Sequence, residues 1–357
     1  MYTKASDPTD GPLTLEELQL ATRNRGMPLE AMRYDITPVG MHYLLTHFDV
    51  PFVDADSWRL QVGGAVARPF ELSLDDISAM PAQTLAVTME CAGNGRARLR
   101  PRPLSNPWLY EAIGNAEWTG TSLWPLLDRA GLNDDAVELL FTGADRGLQK
   151  EVEHNYQRSL TVEEVKRPEV MLVYAMNGRP LEPQNGFPLR LLVPGWYGMT
   201  SVKWLQGIEA VTQPFTGYQQ HNTYRFKQSA DELGEPVQRI RPRALMVPPG
   251  VPDYFSRHRM VDAGRVELIQ GRAWSGQGEI TKVEVGVDGS WSEATLGDSV
   301  GPFAWRSWSF AWEAKPGEHT LSCRATDSTG AAQPIDQPWN YQGMGNNSVQ
   351  TVAVTVR

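Results

Sequence analysis

The sequence contains very little cysteine, with Cys91 and Cys323 as the only two in 357 residues. Two thiols so far apart predict neither a disulfide framework nor a cysteine-rich metal site. The sequence also has no Cys-x-x-Cys-His motif, so no haem is expected. Cys323 falls in a short alternating run, where a buried structural role is the simplest interpretation.

Long apolar runs and excess positive charge are missing as well. No stretch reaches the roughly 18 apolar residues that a membrane span needs. The first eight residues lack both an apolar core and a twin-arginine pair, so we expect a cytoplasmic protein. A net charge of −9 and a pI near 5.3 argue against nucleic acid as a partner. The expected partners therefore include neither nucleic acid nor membrane.

The length and the pattern of the chain favour two domains. Charged residues make up 21% and hydrophobic residues 41% of the sequence, which is typical of a globular protein. An apolar stripe over residues 13–22, with Thr14 as a candidate N-cap, predicts an N-terminal helix. Beyond about residue 235, short alternating runs are separated by turns such as Asp288-Gly289. That pattern is typical of a β-sandwich.

One stretch, residues 84–96, carries a candidate reactive thiol. Apolar and polar side chains alternate over residues 84–91, which predicts a strand with one buried face and Cys91 at its end. A Gly- and Asn-rich turn follows, and Arg96 then places a positive charge beside the thiol. Such surroundings favour the thiolate. The alternative is an ordinary core cysteine.

Two further stretches carry charges that have an ordinary and a functional interpretation. Residues 185–205 predict a strand flanked by Gly-Pro elements, with Arg190 and Lys203 placed to converge on one anion. Two solvated surface charges are the alternative. Asp145 follows a strand in a Gly-rich exit, where an aspartate is most often a turn former.

Together, Glu90-Cys91-Ala92-Gly93-Asn94-Gly95-Arg96 and residues 185–205 resemble the motifs of the sulfite oxidase family of molybdenum enzymes. The resemblance implies an α+β molybdopterin-binding domain followed by an all-β immunoglobulin-like sandwich that forms a homodimer. We expect an N-terminal arm or helix at residues 1–30, the molybdopterin domain at 31–232 and the dimerisation domain at 233–357.

The resemblance also assigns roles to individual residues. It implies that Cys91 binds molybdenum directly and acts in catalysis together with Arg96 and Tyr224. Tyr218 is the competing candidate for the active-site tyrosine. The implied cofactor-binding residues, besides Cys91, are His47, Asp145, Asn185, Arg190, Ser201 and Lys203. Histidine is usual in the family where this chain has Asn185.

The cofactor implied by the resemblance is molybdenum in its dioxo form, held by one pterin. The implied reaction is oxygen-atom transfer on sulfite or a related sulfur compound, with electrons passing to a separate partner. An S-oxide or N-oxide reductase that uses the same cofactor, or a non-catalytic binding protein on this fold, is the alternative. A hydrolase with Cys91 as nucleophile is disfavoured, because no histidine lies in a recognisable nucleophile motif.

Two departures from the family bear on the substrate. Animal and plant sulfite oxidases surround the sulfite site with three arginines, whereas this chain has Leu45 and Gln342 at two of those positions and keeps only Arg96. Charge-assisted hydrogen bonds contribute roughly 1.5–3 kcal/mol each. We therefore expect weak sulfite turnover and a preference for a less charged substrate.

Overall fold

The structure is a computed structural model that describes residues 11–357 and, for the backbone alone, the strand Pro8–Thr9. Residues 1–7 and 10 of the predicted N-terminal arm lie outside the described residues. In the described part of the chain, two β-rich bodies follow one another and the helices are short. No helix in that part is both long and apolar enough to cross a membrane.

The predicted N-terminal helix is present as Leu15–Arg23. Thr14 caps it in a capping box, because its hydroxyl accepts from the Glu17 N–H at 3.2 Å while the Glu17 carboxylate accepts from the Thr14 N–H at 2.9 Å. Glu17 is buried and forms an ion pair with Arg102 at 2.8 Å. This contact fastens the helix to the first body.

The first body contains two five-stranded sheets. One sheet is antiparallel and consists of Arg179–Pro180, Met171–Met176, Ile113–Ser122, Ala82–Glu90 and, paired with Met171–Met176, Arg190–Leu192. The other sheet has the order Phe70–Leu72, Leu60–Gly64, Leu205–Val211, Glu138–Gln149 and Val152–Thr161, and its second and third strands are parallel. A large apolar core joins residues of both sheets.

Short helices connect these strands. The α-helices are Leu74–Ser78, Trp124–Ala130, Val162–Val165 and Tyr218–His221. The 3₁₀ helices are Leu29–Arg33, Val39–Met41, Arg96–Arg98, Pro183–Asn185 and Gly198–Thr200. Helix Trp124–Ala130 adds its apolar face to the large core. Three of the 3₁₀ helices carry or directly adjoin predicted site residues.

The second body is a β-sandwich with its own apolar core. One sheet has the order Arg243–Met246, Val266–Trp274, Arg306–Glu313 and Thr295–Ser299. The other has the order Val251–Pro252, Arg259–Val261, Gln350–Val356, Gly317–Asp327, Ile280–Val287 and Ser290–Glu293. A small hairpin of Arg225–Phe226 and Glu235–Pro236 precedes the sandwich. The predicted fold class is therefore confirmed, and Cys323 is a buried core residue.

The strand Ala82–Glu90, which we call the cysteine strand, departs from the prediction of one buried face. Thr88 and Glu90 point away from the apolar face of this strand but are nevertheless buried. The reason is that the second body covers them: the Thr88 hydroxyl accepts from the Trp305 N–H at 2.7 Å. The prediction of a one-faced strand was wrong, since it took no account of a second covering domain.

Candidate functional site

The thiol of Cys91 lies directly after the cysteine strand, where the chain turns sharply. The Cys91 N–H donates to the Ala112 carbonyl at 2.9 Å, which extends the pairing of the strand by one residue. Gly95 has a φ of +87°, a left-handed conformation that favours glycine. The 3₁₀ helix Arg96–Arg98 follows at once. The tight turn predicted from the sequence is therefore present.

The structure corrects the expectation about the acidity of this thiol. Burial raises the pKa of Cys91, and the Arg96 guanidinium offsets that effect only in part. Loss of hydration penalises the charged form, and the sequence interpretation considered the positive charge without this cost. A bound metal cation would supply the further positive charge that a thiolate needs.

All predicted site residues except Arg96 line one pocket, which we call the inner pocket. They are His47, Cys91, Asp145, Asn185, Arg190, Ser201, Lys203 and Tyr224. Arg96 lines a wider neighbouring space, which we call the outer cleft. The two spaces share Leu45, His47, Cys91 and Tyr224 as lining residues. The thiol therefore lies where the inner pocket meets the outer cleft.

Two cations in the inner pocket are held by backbone carbonyls instead of carboxylates. Arg190 donates to the carbonyls of Asn185 at 3.0 Å and Ser201 at 3.1 Å. Lys203 donates to the carbonyls of Leu45 at 2.9 Å and Gln184 at 3.0 Å. Within the described residues neither cation takes part in an ion pair with a carboxylate. The alternative of two solvated surface charges is therefore wrong, and the pair fits an anion such as a phosphate.

The surroundings of the Lys203 ammonium shift its pKa strongly. Burial, together with the charge of Arg190, lowers the pKa of Lys203 to about 7, although Asp145 acts in the opposite direction. A bound anion would favour the charged form of Lys203 and would offset the repulsion from Arg190. The pocket is therefore better suited to a negatively charged group than to a neutral one.

Acceptor atoms without partners face the same pocket. Asp145 Oδ1 and Asn185 Oδ1 are buried and find no hydrogen-bond partner among the described residues. Burial raises the pKa of Asp145 to about 6, although the charge of Lys203 acts in the opposite direction. Buried polar groups normally find partners, and the amino and ring N–H groups of a pterin are suitable donors. These atoms, the two cations and the thiol fit a pterin that carries a phosphate and a metal.

The sequence analysis expected Asp145 at the exit of a strand. In the structure it lies within the strand instead. The strand Glu138–Gln149 continues past the aspartate because its pairing register shifts between Thr142 and Arg146. This bulge turns Asp145 toward the pocket. A Cβ at Gly143 would lie 2.5 Å from Asp145 Oδ1, so the approach of the carboxylate requires glycine there.

Of the two candidate tyrosines, the structure places Tyr224 in the inner pocket. Its hydroxyl lies 2.6 Å from His47 Nε2, and burial raises the pKa of Tyr224. Tyr218 instead stacks on His154, with 4.7 Å between the ring centroids, and lines only the outer cleft. Of the two candidates, the geometry therefore favours Tyr224, which shares the inner pocket with the thiol.

The structure adds residues that the sequence analysis missed. His42, Tyr43 and Tyr156 also line the inner pocket, and the Tyr156 hydroxyl donates to the Met199 carbonyl at 2.7 Å. Arg158 is buried, with its guanidinium 5.6 Å from the Tyr224 ring centroid. His42 and Tyr43 lie only a few residues before His47, which the resemblance implies as a cofactor-binding residue, whereas Tyr156 and Arg158 occupy ordinary strand positions that give no signal.

Arg96 is held by a loop of the second body. Its Nε donates to the Gln342 carbonyl at 3.0 Å, and one Nη2 hydrogen points to Met344 Sδ at 3.5 Å. Its Nη1 donates to the Asn106 carbonyl at 3.2 Å. A Cβ at Gly93 would lie 2.6 Å from the guanidinium nitrogens, so the arginine packs against bare backbone. Contacts with the second body therefore help to orient the Arg96 side chain.

Glu90, which precedes the cysteine, is a further residue that sequence reasoning did not single out. Its carboxylate lies 2.7 Å from Arg243 Nε and accepts from Trp274 Nε1 at 2.9 Å, and both partners belong to the second body. Asn94 of the cysteine turn donates to the same carboxylate at 3.1 Å. The second body thus contacts the turn that carries the thiol at both ends, at Glu90 and at Arg96.

One buried histidine, His42, and one partly buried histidine, His47, make stability sensitive to acid. Burial lowers the pKa of His42 to about 4 and that of His47 to about 3. In the unfolded chain each ring takes up its proton near pH 6.5. Between about pH 6.5 and pH 4 the unfolded state therefore binds more protons than the folded state. We expect the free energy of unfolding to fall through this window, by at most about 1.4 kcal/mol per pH unit for each ring.

Urea unfolding at a series of pH values measures this dependence. The double variant His42→Gln/His47→Gln is expected to show a shallower loss of stability below pH 6.5 than the wild-type protein. The variant His221→Gln, at an exposed position, is the matched control and is expected to keep the wild-type slope. Equal slopes in all three proteins would contradict the assignment of acid sensitivity to these two histidines.

No group of three or more His, Cys, Asp or Glu side chains in the described residues could hold a metal ion by itself. A metal at Cys91 would therefore take one ligand from the protein and others from elsewhere. A soft thiolate suits a metal that already carries sulfur ligands.

Comparison with known proteins gives the same picture. Residues 47–219 match the oxidoreductase molybdopterin binding domain, and residues 256–357 match the Mo-co oxidoreductase dimerisation domain. The mitochondrial sulfite oxidase of Rattus norvegicus is 31% identical over 383 residues, covering 99% of this chain and 68% of that protein. The NADH nitrate reductase of Ulva prolifera is 29% identical, covering 88% of this chain and 40% of that protein.

A solved structure has the same fold over nearly the whole chain. The sulfane dehydrogenase SoxCD from Paracoccus pantotrophus superposes with a TM-score of 0.80, covering 98% of this chain and 93% of that chain. Sequence identity between the two is 24%, so the likeness concerns the fold alone. The arrangement of two β-rich bodies is therefore shared.

Proposed function

Since the chain belongs to the sulfite oxidase family of molybdopterin oxidoreductases, we propose that it transfers an oxygen atom at the sulfur of a small substrate. Sulfite or a related sulfur compound is the proposed substrate class. The observation that carries this proposal is the inner pocket, where a thiol converges with two cations and with acceptors that, in the part of the chain that the structure describes, lack carboxylate and hydrogen-bond partners respectively. This combination of groups suits one molybdenum with one pterin.

Each end of the cofactor has matching side chains. Arg190 and Lys203 would hold the pterin phosphate, together with Ser201, whose hydroxyl already accepts from a backbone N–H at 3.1 Å. Asp145 and Asn185 would accept hydrogen bonds from the pterin ring. Cys91 would bind the metal directly, and the bound cofactor would supply the redox chemistry and the transferable oxygen. The protein supplies position, charge and restricted access to water.

On the substrate side, Arg96 and Tyr224 are the proposed catalytic side chains. Arg96 would bind and orient the negative end of the substrate, because its guanidinium borders the outer cleft beside Cys91. In the tautomer of His47 that carries its proton on Nε2, the Tyr224 hydroxyl would accept from the histidine and keep its own proton to donate into the pocket. His47 thereby fixes the direction of the tyrosine proton.

The wider setting of the reaction is proposed as well. The match to a dimerisation domain supports a homodimer. We place electron transfer on a separate protein and the enzyme in the cytoplasm, and we expect no haem in the active protein. In an assay, a soluble one-electron acceptor can replace that partner, so the partner need not be identified first.

The proposed function is tested on protein made in a host that synthesises molybdopterin. We expect about one molybdenum and one pterin per chain, and oxidation of a sulfur oxyanion with ferricyanide as acceptor. The double variant Arg190→Gln/Lys203→Gln is expected to retain cofactor at least about 100-fold less tightly, because two charge-assisted hydrogen bonds of about 1.5–3 kcal/mol each are lost.

A matched control exists in the second body. Lys282 and Arg324 both pair with Glu284 and do not line the inner pocket. Lys282→Gln/Arg324→Gln therefore removes the same two charges and is expected to leave cofactor content unchanged. Wild-type protein without molybdenum, or equal losses in the two double variants, would contradict the proposed site. Reduction of an S-oxide without any sulfur oxidation would reverse the proposed direction.

A further inference from the structure

The outer cleft is much larger than an inorganic oxyanion requires. Its volume is about 670 Å³, which falls within the roughly 300–1,000 Å³ of pockets that bury drug-sized organic ligands. It extends from Cys91 and Tyr224 out to residues 227 and 230–233, beside the small hairpin. A substrate that uses this space must be larger than a four-atom ion.

Apolar side chains line the cleft at both its inner end and its entrance, with polar residues between them. Leu104, Trp108 and Met344 are buried wall residues. At the entrance, Leu148 is 70% exposed and Leu233 is 50% exposed. Contiguous exposed apolar side chains mark interaction sites, ligand-binding grooves among them. The cleft therefore suits a hydrocarbon group.

The formal charges of the residues that line the cleft leave one positive charge unbalanced, and its carrier is buried. Counting lysine, arginine, aspartate and glutamate, the positive lining residues are Lys150, Lys227 and Arg96, and the negative ones are Asp231 and Glu232. The lysines and the acids offset one another, and of these five residues only Arg96 is buried. Arg96 borders the same space as Cys91, which places a single positive charge at the inner end.

Arg96 has hydrogen-bonding capacity left for a ligand. A guanidinium has five N–H groups, and three of them point to the Gln342 and Asn106 carbonyls and to Met344 Sδ. None of its partners in the described residues is a carboxylate, so its charge is not neutralised by the protein. Leu45 and Gln342, which also line the cleft, add no second cation. The inner end is matched to one negative charge.

We propose that the cleft selects an organic sulfinate, R–SO₂⁻, as substrate. A sulfinate carries one negative charge for Arg96 and a carbon group for the apolar walls. The reaction is R–SO₂⁻ + H₂O → R–SO₃⁻ + 2 H⁺ + 2 e⁻. The sulfur lone pair forms a new S–O bond, the oxygen derives from water, and two electrons leave singly to a one-electron acceptor. This inference rests on the proposed oxygen-transfer function.

A series of linear alkanesulfinates with two to five carbons tests the proposal kinetically. With ferricyanide as acceptor, we expect kcat/KM to rise about fourfold for each methylene that the cleft buries. The value for pentanesulfinate is expected to exceed that for sulfite. A flat series, or a higher kcat/KM for sulfite than for every sulfinate, would overturn the sulfinate proposal and leave oxygen transfer standing.

Equilibrium binding gives a readout that needs no turnover. Isothermal titration calorimetry of the purified protein with alkanesulfonates is expected to show affinity that grows with chain length, and weaker binding of sulfate. Neutral dibutyl sulfoxide that binds as tightly as pentanesulfonate would overturn the role of the single charge. Chain-length-dependent sulfonate binding by a protein that oxidises no sulfur oxyanion would support the cleft and defeat the proposed function.

Substitutions at the entrance of the cleft test where the carbon group of the substrate binds. Val152 also lines the cleft and is 45% exposed, and Leu148→Gln/Val152→Gln is expected to lower the pentanesulfinate-to-ethanesulfinate ratio of kcat/KM by about tenfold. Leu15→Gln/Leu18→Gln is the matched control, because both leucines are exposed on the N-terminal helix and do not line the cleft. Equal ratios in the entrance variant and the control would overturn the assignment of these walls.

Discussion

Replacing Cys91 with serine is expected to lower oxygen-transfer activity by more than 100-fold. Loss of residues that merely support metal ligands typically costs about 10–100-fold, and Cys91 is proposed as the ligand itself. The serine hydroxyl is a hard and weakly acidic donor, so it replaces a soft thiolate poorly. We also expect loss of any thiolate-to-metal absorption band. Metal analysis, the visible spectrum and steady-state rates on the same preparation measure the three effects.

The chain provides its own control for this substitution. Cys323 is also free and buried, but it lies in the core of the second body. Its thiol points to the Ala244 carbonyl at 3.4 Å, so the serine of Cys323→Ser can keep that contact. Cys323→Ser is expected to retain the spectrum and the activity. A Cys91→Ser protein with full molybdenum content, band and rate would remove Cys91 from the metal site.

The cysteine turn was predictable because its signals are local. Glycines, an asparagine and an arginine directly after an alternating run indicate a strand end and a tight turn without any knowledge of the rest of the chain. The resemblance then linked Cys91 to distant positions such as Asp145 and Lys203, and the structure brings these into one pocket. Short strands and turns likewise indicated the sandwich.

Features that depend on contact between distant segments could not be predicted in this way. The period of a strand shows which face is apolar, but it does not show that a second domain will cover the polar face. Glu90 therefore read as a solvent-facing residue, although Arg243 and Trp274 bury it. The bulge at Asp145 depends on register with the neighbouring strand. The thiol pKa required the degree of burial, which a sequence does not give.

Replacing Glu90 with glutamine is expected to lower the free energy of unfolding by about 3–5 kcal/mol. The substitution leaves Arg243 buried without its countercharge, and removing one member of a buried ion pair typically has that cost. Urea unfolding of the purified protein measures the change. The control is Glu153→Gln, because Glu153 pairs with Arg146 at the surface, with side-chain exposures of 59% and 61%. Its expected cost is below about 1 kcal/mol, and similar costs at both sites would contradict the prediction.

A double variant separates stability from positioning at the same site. Apolar replacement of both members of a buried ion pair is often neutral for stability, so Glu90→Met/Arg243→Met is expected to recover most of the unfolding free energy. Trp274 Nε1 and the Asn94 amide nevertheless lose the carboxylate that accepts from them. The cysteine turn would then be stably folded but less firmly held, and we expect cofactor retention to stay about tenfold below wild type. Recovery of both properties would make the ion pair a purely structural link between the two bodies.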